Sequence, residues 1–166
     1  NYSNNDDYFS NNPCLVKIYQ CNFVGNYSTQ AGAISCRSAQ SNTYISNCLF
    51  YKNYVTYAIA PDIRRYQGAG LFINNSTFYY GWALGAWNTA NINIDDGDFV
   101  FANSTLISTN RSAENTYDND ENEGLIRFDG ITDGKRLHFI NSIICNTRAN
   151  QGSKLAFTGW HSNVVI

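Results

Sequence analysis

A short phrase recurs five times along the 166 residues: VKIYQCNFVGN from Val16, TYISNCLFYKN from Thr43, LFINNSTFYYG from Leu71, FVFANSTLIST from Phe99 and LHFINSIICNT from Leu137. Each copy reads apolar-x-apolar-x-Asn-(Cys/Ser)-x-apolar, with Gln20 replacing Asn in the first. The central apolar residues Ile18, Ile45, Ile73, Phe101 and Phe139 stand 27, 28, 28 and 38 positions apart. A fixed period of this size means one structural unit per repeat, each unable to bury a core alone and each stacking on the next.

On either side of the Asn, apolar residues alternate with polar ones, the period-2 mark of two short strands. Two strands separated by about two residues, returning after a further length of chain, are adjacent sides of one coil rather than a hairpin. Stacking the copies sets like on like. Val16, Thr43, Leu71, Phe99 and Leu137 form one inward file, Ile18, Ile45, Ile73, Phe101 and Phe139 a second, and Phe23, Phe50, Phe78, Leu106 and Ile144 a third. The pattern predicts an all-β fold, a right-handed parallel β-helix: a three-sided solenoid of about five to six coils lying ~4.8 Å apart.

Ala33 and Ile34 are expected to form the third strand of the first coil; YAIAPDIRRYQGAG holds the equivalent place in the second and ALGAW, residues 83 to 87, in the third. Residues 1–13 read as a polar lead-in or N-terminal cap, and residues 14–166 as a single domain. The stretched last interval places an acidic loop insertion at about 111–124.

The file Asn47, Asn75, Asn103 and Asn141 falls at the corner between the two strands. A carboxamide carries donors and an acceptor, so stacked copies can bond along the axis, and Asn tolerates the left-handed backbone of a tight corner. That is a structural role. Cys21 and Cys48 share a file continued by Ser76, Ser104 and Ser142; their Cα atoms are near enough for a bridge, the alternative, but side chains on parallel neighbours point alongside one another, so this pair is expected to stay reduced. Cys14, Cys36 and Cys145 lie off the file, and no C-x-x-C spacing marks a zinc site.

A net charge of −2 with 14% charged residues leaves no basic field for a phosphate backbone or an anionic bilayer. No apolar run approaches the ~20 residues of a membrane-spanning helix. The chain starts with Asn and has no Met, which suits a piece of a longer precursor. Twelve Tyr among abundant Asn, Ser and Thr suit contact with sugars. An outward file of Val24, Tyr51, Tyr79 and Ile107, flanked by Lys52 and Tyr80, could stack on sugar rings while its hydroxyls form hydrogen bonds; cross-strand stabilisation of the sheet is the alternative role.

The pairing of F-x-x-N with a following small-small-Ala-Ile segment, seen as FVGN at Phe23–Asn26 and AGAI at Ala31–Ile34, resembles the repeats of polymorphic outer membrane proteins and related surface proteins. FYKN at Phe50–Asn53 keeps the first half. The resemblance implies a secreted or cell-surface passenger used in adhesion, and it brings no catalytic residues.

Parallel β-helices also include polysaccharide lyases and hydrolases, whose chemistry needs converging carboxylates. Asp95, Asp96 and Asp98 in NIDDGDF are the candidate acids, although the G-H-G and R-x-K partners of polygalacturonases are absent. His138 sits at an outward, solvated strand position, and His161 stands alone. Asp118, Asp120, Asn122 and Asp129 reproduce part of a calcium-loop spacing, without its Gly at the sharp turn. Among the N-x-(Ser/Thr) strings, Asn26 and Asn110 are the candidate glycan acceptors.

The reading expected from these features is a non-enzymatic extracellular module, adhesive or scaffolding, whose partners are glycans or other surface proteins. The alternatives are a polysaccharide-active enzyme or its inactive remnant, and a fibre or tail-type assembly protein. The chain ends in VVI, so its last coil is expected to be covered by further chain or another subunit.

Overall fold

The computed structural model describes residues 15–29, 31–36, 41–56, 60, 62–65, 70–83, 90–108, 124–129, 134–146 and 153–158, the last of these by backbone alone. The first coil runs through β1 (Leu15–Tyr19), β2 (Asn22–Val24), β3 (Tyr27–Ser28) and β4 (Ile34–Cys36). The second repeats this order with β5 (Asn42–Ser46), β6 (Leu49–Tyr51), β7 (Tyr54–Val55) and β8 (Ile63–Arg65). The third holds β9 (Leu71–Asn74), β10 (Thr77–Tyr79), β11 (Trp82–Ala83) and β12 (Ile92–Ile94). The fourth comprises β13 (Phe99–Ala102), β14 (Thr105–Ser108) and β15 (Gly124–Asp129), the fifth β16 (Leu137–Ile140), β17 (Ile143–Asn146) and β18 (Ser153–Thr158).

Corresponding strands pair in parallel from coil to coil. Sheet I is β1-β5-β9-β13-β16, sheet II β2-β6-β10-β14-β17, and sheet IV β4-β8-β12-β15-β18. The molecule is a parallel β-helix of about five coils. Beside the three five-stranded sheets, a short sheet III of β3, β7 and β11 follows sheet II across a second corner. Two-residue strands are too short to show a period, which is why the sequence pattern does not announce them. The third side of the third coil also differs from expectation. It is Ile92–Ile94, paired with Ile63–Arg65, while ALGAW contributes Ala83 to sheet III and otherwise lies outside the described residues. The apolar alternation of Ile92 and Ile94, rather than the small residues, marks the inward face.

All three predicted inward files are in register, as in Thr43↔Leu71↔Phe99↔Leu137 on sheet I and Phe23↔Phe50↔Phe78↔Leu106 on sheet II. Phe50 and Phe78 are fully buried and their rings stack 4.4 Å apart, with Phe23 4.7 Å beyond Phe50. Each such ring contributes about 1.5–3 kcal/mol by leaving water. The small-residue file works as a second ladder: Cys48 N–H donates to Ser76 Oγ (3.2 Å), Ser76 N–H to Ser104 Oγ (3.0 Å) and Ser104 N–H to Ser142 Oγ (3.2 Å). Cys21 and Cys48 are both free thiols, as expected from their parallel side chains, and so is Cys36.

Candidate functional site

Sheet II is bounded by two corners; a single left-handed residue turns the first in all five coils and the second in the first three. At the corner between sheets I and II these are Gln20, Asn47, Asn75, Asn103 and Asn141, with φ between 45° and 55°. Asn75 Nδ2 donates to Asn47 Oδ1, Asn141 Nδ2 donates to Asn103 Oδ1 at 3.0 Å, and Asn103 Nδ2 reaches Asn74 Oδ1 at 2.9 Å. The predicted Asn ladder therefore exists, with one rung shifted by a residue. At the corner between sheets II and III the left-handed positions are Gly25 (φ 64°), Lys52 (φ 53°) and Tyr80 (φ 56°). A Cβ in this region costs about 1–2 kcal/mol, which Gly avoids and Asn reduces by local hydrogen bonding. Lys and Tyr do neither.

This second corner carries the predicted aromatic residues. Val24, Tyr51, Tyr79 and Ile107 stand in register on the outward face of sheet II. Tyr51 and Tyr79 are stacked with centroids 5.9 Å apart and planes at 11°. Tyr80 lies 4.0 Å from Tyr79, and Lys52 Nζ sits over the Tyr51 ring at 5.0 Å. A hydrogen bond with Tyr80, helped by partial burial and by the neighbouring phenols, raises the Tyr79 pKa above the usual phenol value. Across the corner on sheet III, Tyr27 meets Tyr54 at a tilt of 34°, with centroids 4.6 Å apart, and is more than half exposed. The four predicted residues Tyr51, Lys52, Tyr79 and Tyr80 are thus brought together, none of them is buried, and an adjoining tyrosine pair extends the surface.

Behind this corner lies a polar network that sequence reading missed. Asn26 donates through both N and Nδ2 to Asn53 Oδ1 (3.0 and 2.9 Å), and Asn53 Nδ2 donates to Phe23 O (3.1 Å) and Asp62 Oδ1 (2.9 Å). Asn91 Nδ2 completes the chain at Asp62 Oδ2 (2.9 Å). Asn53, Asp62 and Asn91 are fully buried. Desolvation pushes the Asp62 carboxyl up to about 6, against the pull of the Asn91 and Asn53 hydrogen bonds. The repeated Asn of FVGN and FYKN was the available signal. Asn26, a candidate glycan acceptor, thus has its amide nitrogen hydrogen-bonded within the network; Asn110 lies outside the described residues.

The three candidate acids occupy the corner from sheet IV to sheet I and do not converge. Asp98 turns to the next coil, where Arg136 donates from N (3.0 Å) and Nη2 (3.2 Å). Desolvation raises the Asp98 pKa, but these bonds and the Arg136 and Lys135 charges outweigh it and hold the carboxyl below its usual range. Asp95 instead belongs to a cluster on the outward side of sheet IV. There Arg64, Asn93 and Arg127 are in register, Arg127 Nε pairs with Asp129 Oδ1 at 2.7 Å, and Asn93 Nδ2 donates to Asp129 Oδ2 at 2.8 Å. Burial raises the Asp95 pKa; Arg64 and Arg127 oppose the shift and Asp129 adds to it. Asp96 makes interactions of its own at the corner.

No family model, curated protein or solved structure matches this chain. Its chemistry is therefore read from these sites alone. Of the predicted calcium ligands, Asp118, Asp120 and Asn122 lie outside the described residues, and Asp129 is occupied by Arg127 and Asn93. His138 is exposed on the outward face of sheet I, as its strand position predicts. The inward residue in register with Cys36 is Arg65, fully buried, with Nη2 donating to Ser41 O. Burial lowers the Arg65 pKa, and the adjacent Cys36 sulfur offsets part of that shift.

Proposed function

We propose that the chain is a non-enzymatic, secreted or cell-surface β-helix module that binds glycans on the platform of Tyr51, Tyr79, Tyr80 and Lys52. The observation carrying this reading is a stacked pair of tyrosines at 5.9 Å, flanked by a third phenol and an ammonium, none of them buried. Aromatic faces take the apolar face of a sugar ring while phenol hydroxyls bond its rim. The repeat supports the ring spacing from within, through the stacked Phe23, Phe50 and Phe78 on the opposite face of the same sheet. On this reading the last coil, where Ile140 and Ile143 are at least half exposed, continues into further chain or meets another subunit. Affinity electrophoresis through a panel of soluble polysaccharides tests the binding. Tyr51→Ala with Tyr79→Ala should weaken retention about tenfold, the loss of one good stacking contact; unchanged retention removes the platform.

A second reading, a polysaccharide-active hydrolase or lyase, is favoured by one observation: Asp95 lies among Arg64, Arg127 and Asp129 with its pKa raised, as a proton donor requires. Against it, Asn93 at the centre of the cluster is fully buried and Arg127 nearly so, leaving no room for a sugar chain between them. Release of new reducing ends from a polysaccharide, abolished by Asp95→Asn, would establish it; no release from the binding polymer would reject it.

A further inference from the structure

Lys52 and Tyr80 occupy backbone positions that favour glycine. The equivalent residue in the first coil is Gly25, at nearly the same φ. The outward projection of Lys52 adds nothing to the apolar core, because it is exposed, and Tyr80 is only half-buried. Large side chains kept in a strained backbone region where a small one suffices point to work outside the fold. The sequence around them narrows what that work is. Among the described residues of sheets II and III and the corner between them, Lys52 is the single charged side chain. Neither described ion pair involves it: they join Arg127 to Asp129 and Arg136 to Asp98. Its ammonium lies over the Tyr51 ring, 5.0 Å from the centroid, within the surface that a sugar would meet.

Resting on the glycan-binding reading, we infer that the platform selects acidic polysaccharides bearing carboxylates, with Lys52 facing the carboxylate of a sugar stacked on Tyr51 and Tyr79. A cation on an otherwise neutral aromatic surface gives selectivity through complementarity, because a neutral sugar leaves the ammonium without compensation for displaced water. One ammonium matches one weak anion per sugar. A densely sulfated polymer carries more charge per sugar, so it would meet stronger repulsion from a chain whose own net charge is −2 while gaining the same single favourable contact.

The test uses a homopolymeric uronan and the same polymer with its carboxylates reduced to alcohols, so that ring shape and linkage stay constant. Titration calorimetry at low salt should show the uronan bound about threefold to tenfold more tightly, the range of an exposed charge pair to a charge-assisted hydrogen bond. The preference should shrink as salt rises, and Lys52→Gln, which keeps the strained backbone and removes the charge, should bring the ratio to about one. Equal binding of the two polymers by the unmodified protein overturns the inference while leaving the platform intact. Binding of neither overturns the inference too, while the platform itself stands or falls on the retention of the Tyr51→Ala, Tyr79→Ala variant across the polysaccharide panel. Tighter binding of a sulfated glucan than of the uronan overturns the assignment to carboxylates, and a ratio unmoved by Lys52→Gln overturns the assignment to Lys52.

Discussion

The two corners that bound sheet II solve the same backbone problem with different residues. At the first, a left-handed turn in every coil is filled by Gln or Asn, whose carboxamides bond along the axis on the protein's outer edge. At the second, the same backbone is filled by Gly25, Lys52 and Tyr80. The first corner's side chains are explained by the corner itself; those of the second are not. The two also differ underneath. Behind the first runs a ladder of backbone N–H groups onto serine hydroxyls, with no ionisable oxygen in it. Behind the second stands Asp62, buried and bonded to Asn53 and Asn91. A repeat can thus hold one corner as pure architecture and leave its neighbour free to carry chemistry.

That difference should be largest in the pH dependence of stability. Asp62 has a folded pKa of about 6 against 3.8 for the free residue, so the folded state binds this proton more tightly than the unfolded state. The resulting stabilisation is complete below about pH 4 and lost as pH rises through about 6, with a total of about 3 kcal/mol for a shift of roughly two units. Asp95 shifts in the same direction, whereas Asp98, held low by Arg136, titrates with the opposite sign at more acid pH. Asp62→Asn isolates the first of these. Urea denaturation between pH 4 and 7 should show most of the slope in the native chain missing from the variant, whatever its absolute stability. Equal slopes would mean that the second corner is no more titratable than the first.

Much of this architecture is legible in the chain. Files of like residues, the Asn corner and the reduced Cys21–Cys48 pair follow from periodicity, because strand alternation and a fixed coil length are local, repeated constraints. The aromatic platform is legible for the same reason, since Tyr51 and Tyr79 fall on the outward phase of a known strand. Asp62 and Arg65 are not. The partners of Asp62 lie 9 and 29 positions away, so its burial is decided by what the coil encloses and not by any neighbour in sequence. Arg65 does sit in phase with inward Ile63, but its charge argues for the surface until the Ser41 carbonyl and Cys36 sulfur are seen beside it. The acids of NIDDGDF mislead by proximity: three residues close in sequence sit at a corner, where each step of chain changes direction, so Asp95 and Asp98 serve different sheets.

The smallest effect tests the comparison most directly, because it predicts opposite signs for one substitution. Replacing Asn103 by Gly relaxes the backbone but removes the carboxamide that donates to Asn74 and accepts from Asn141; two exposed hydrogen bonds lost against a modest backbone gain should destabilise by about 0.5–1 kcal/mol. Replacing Lys52 by Gly relaxes the same kind of backbone and removes only an exposed side chain resting on Tyr51. An exposed cation–π contact is worth roughly 0.5–1 kcal/mol, less than the about 1–2 kcal/mol of a left-handed Cβ, so this variant should be slightly more stable than the native chain. Thermal melts of the two proteins at one pH decide it. If Lys52→Gly also melts lower, Lys52 is held by the fold after all, and the second corner is architecture like the first.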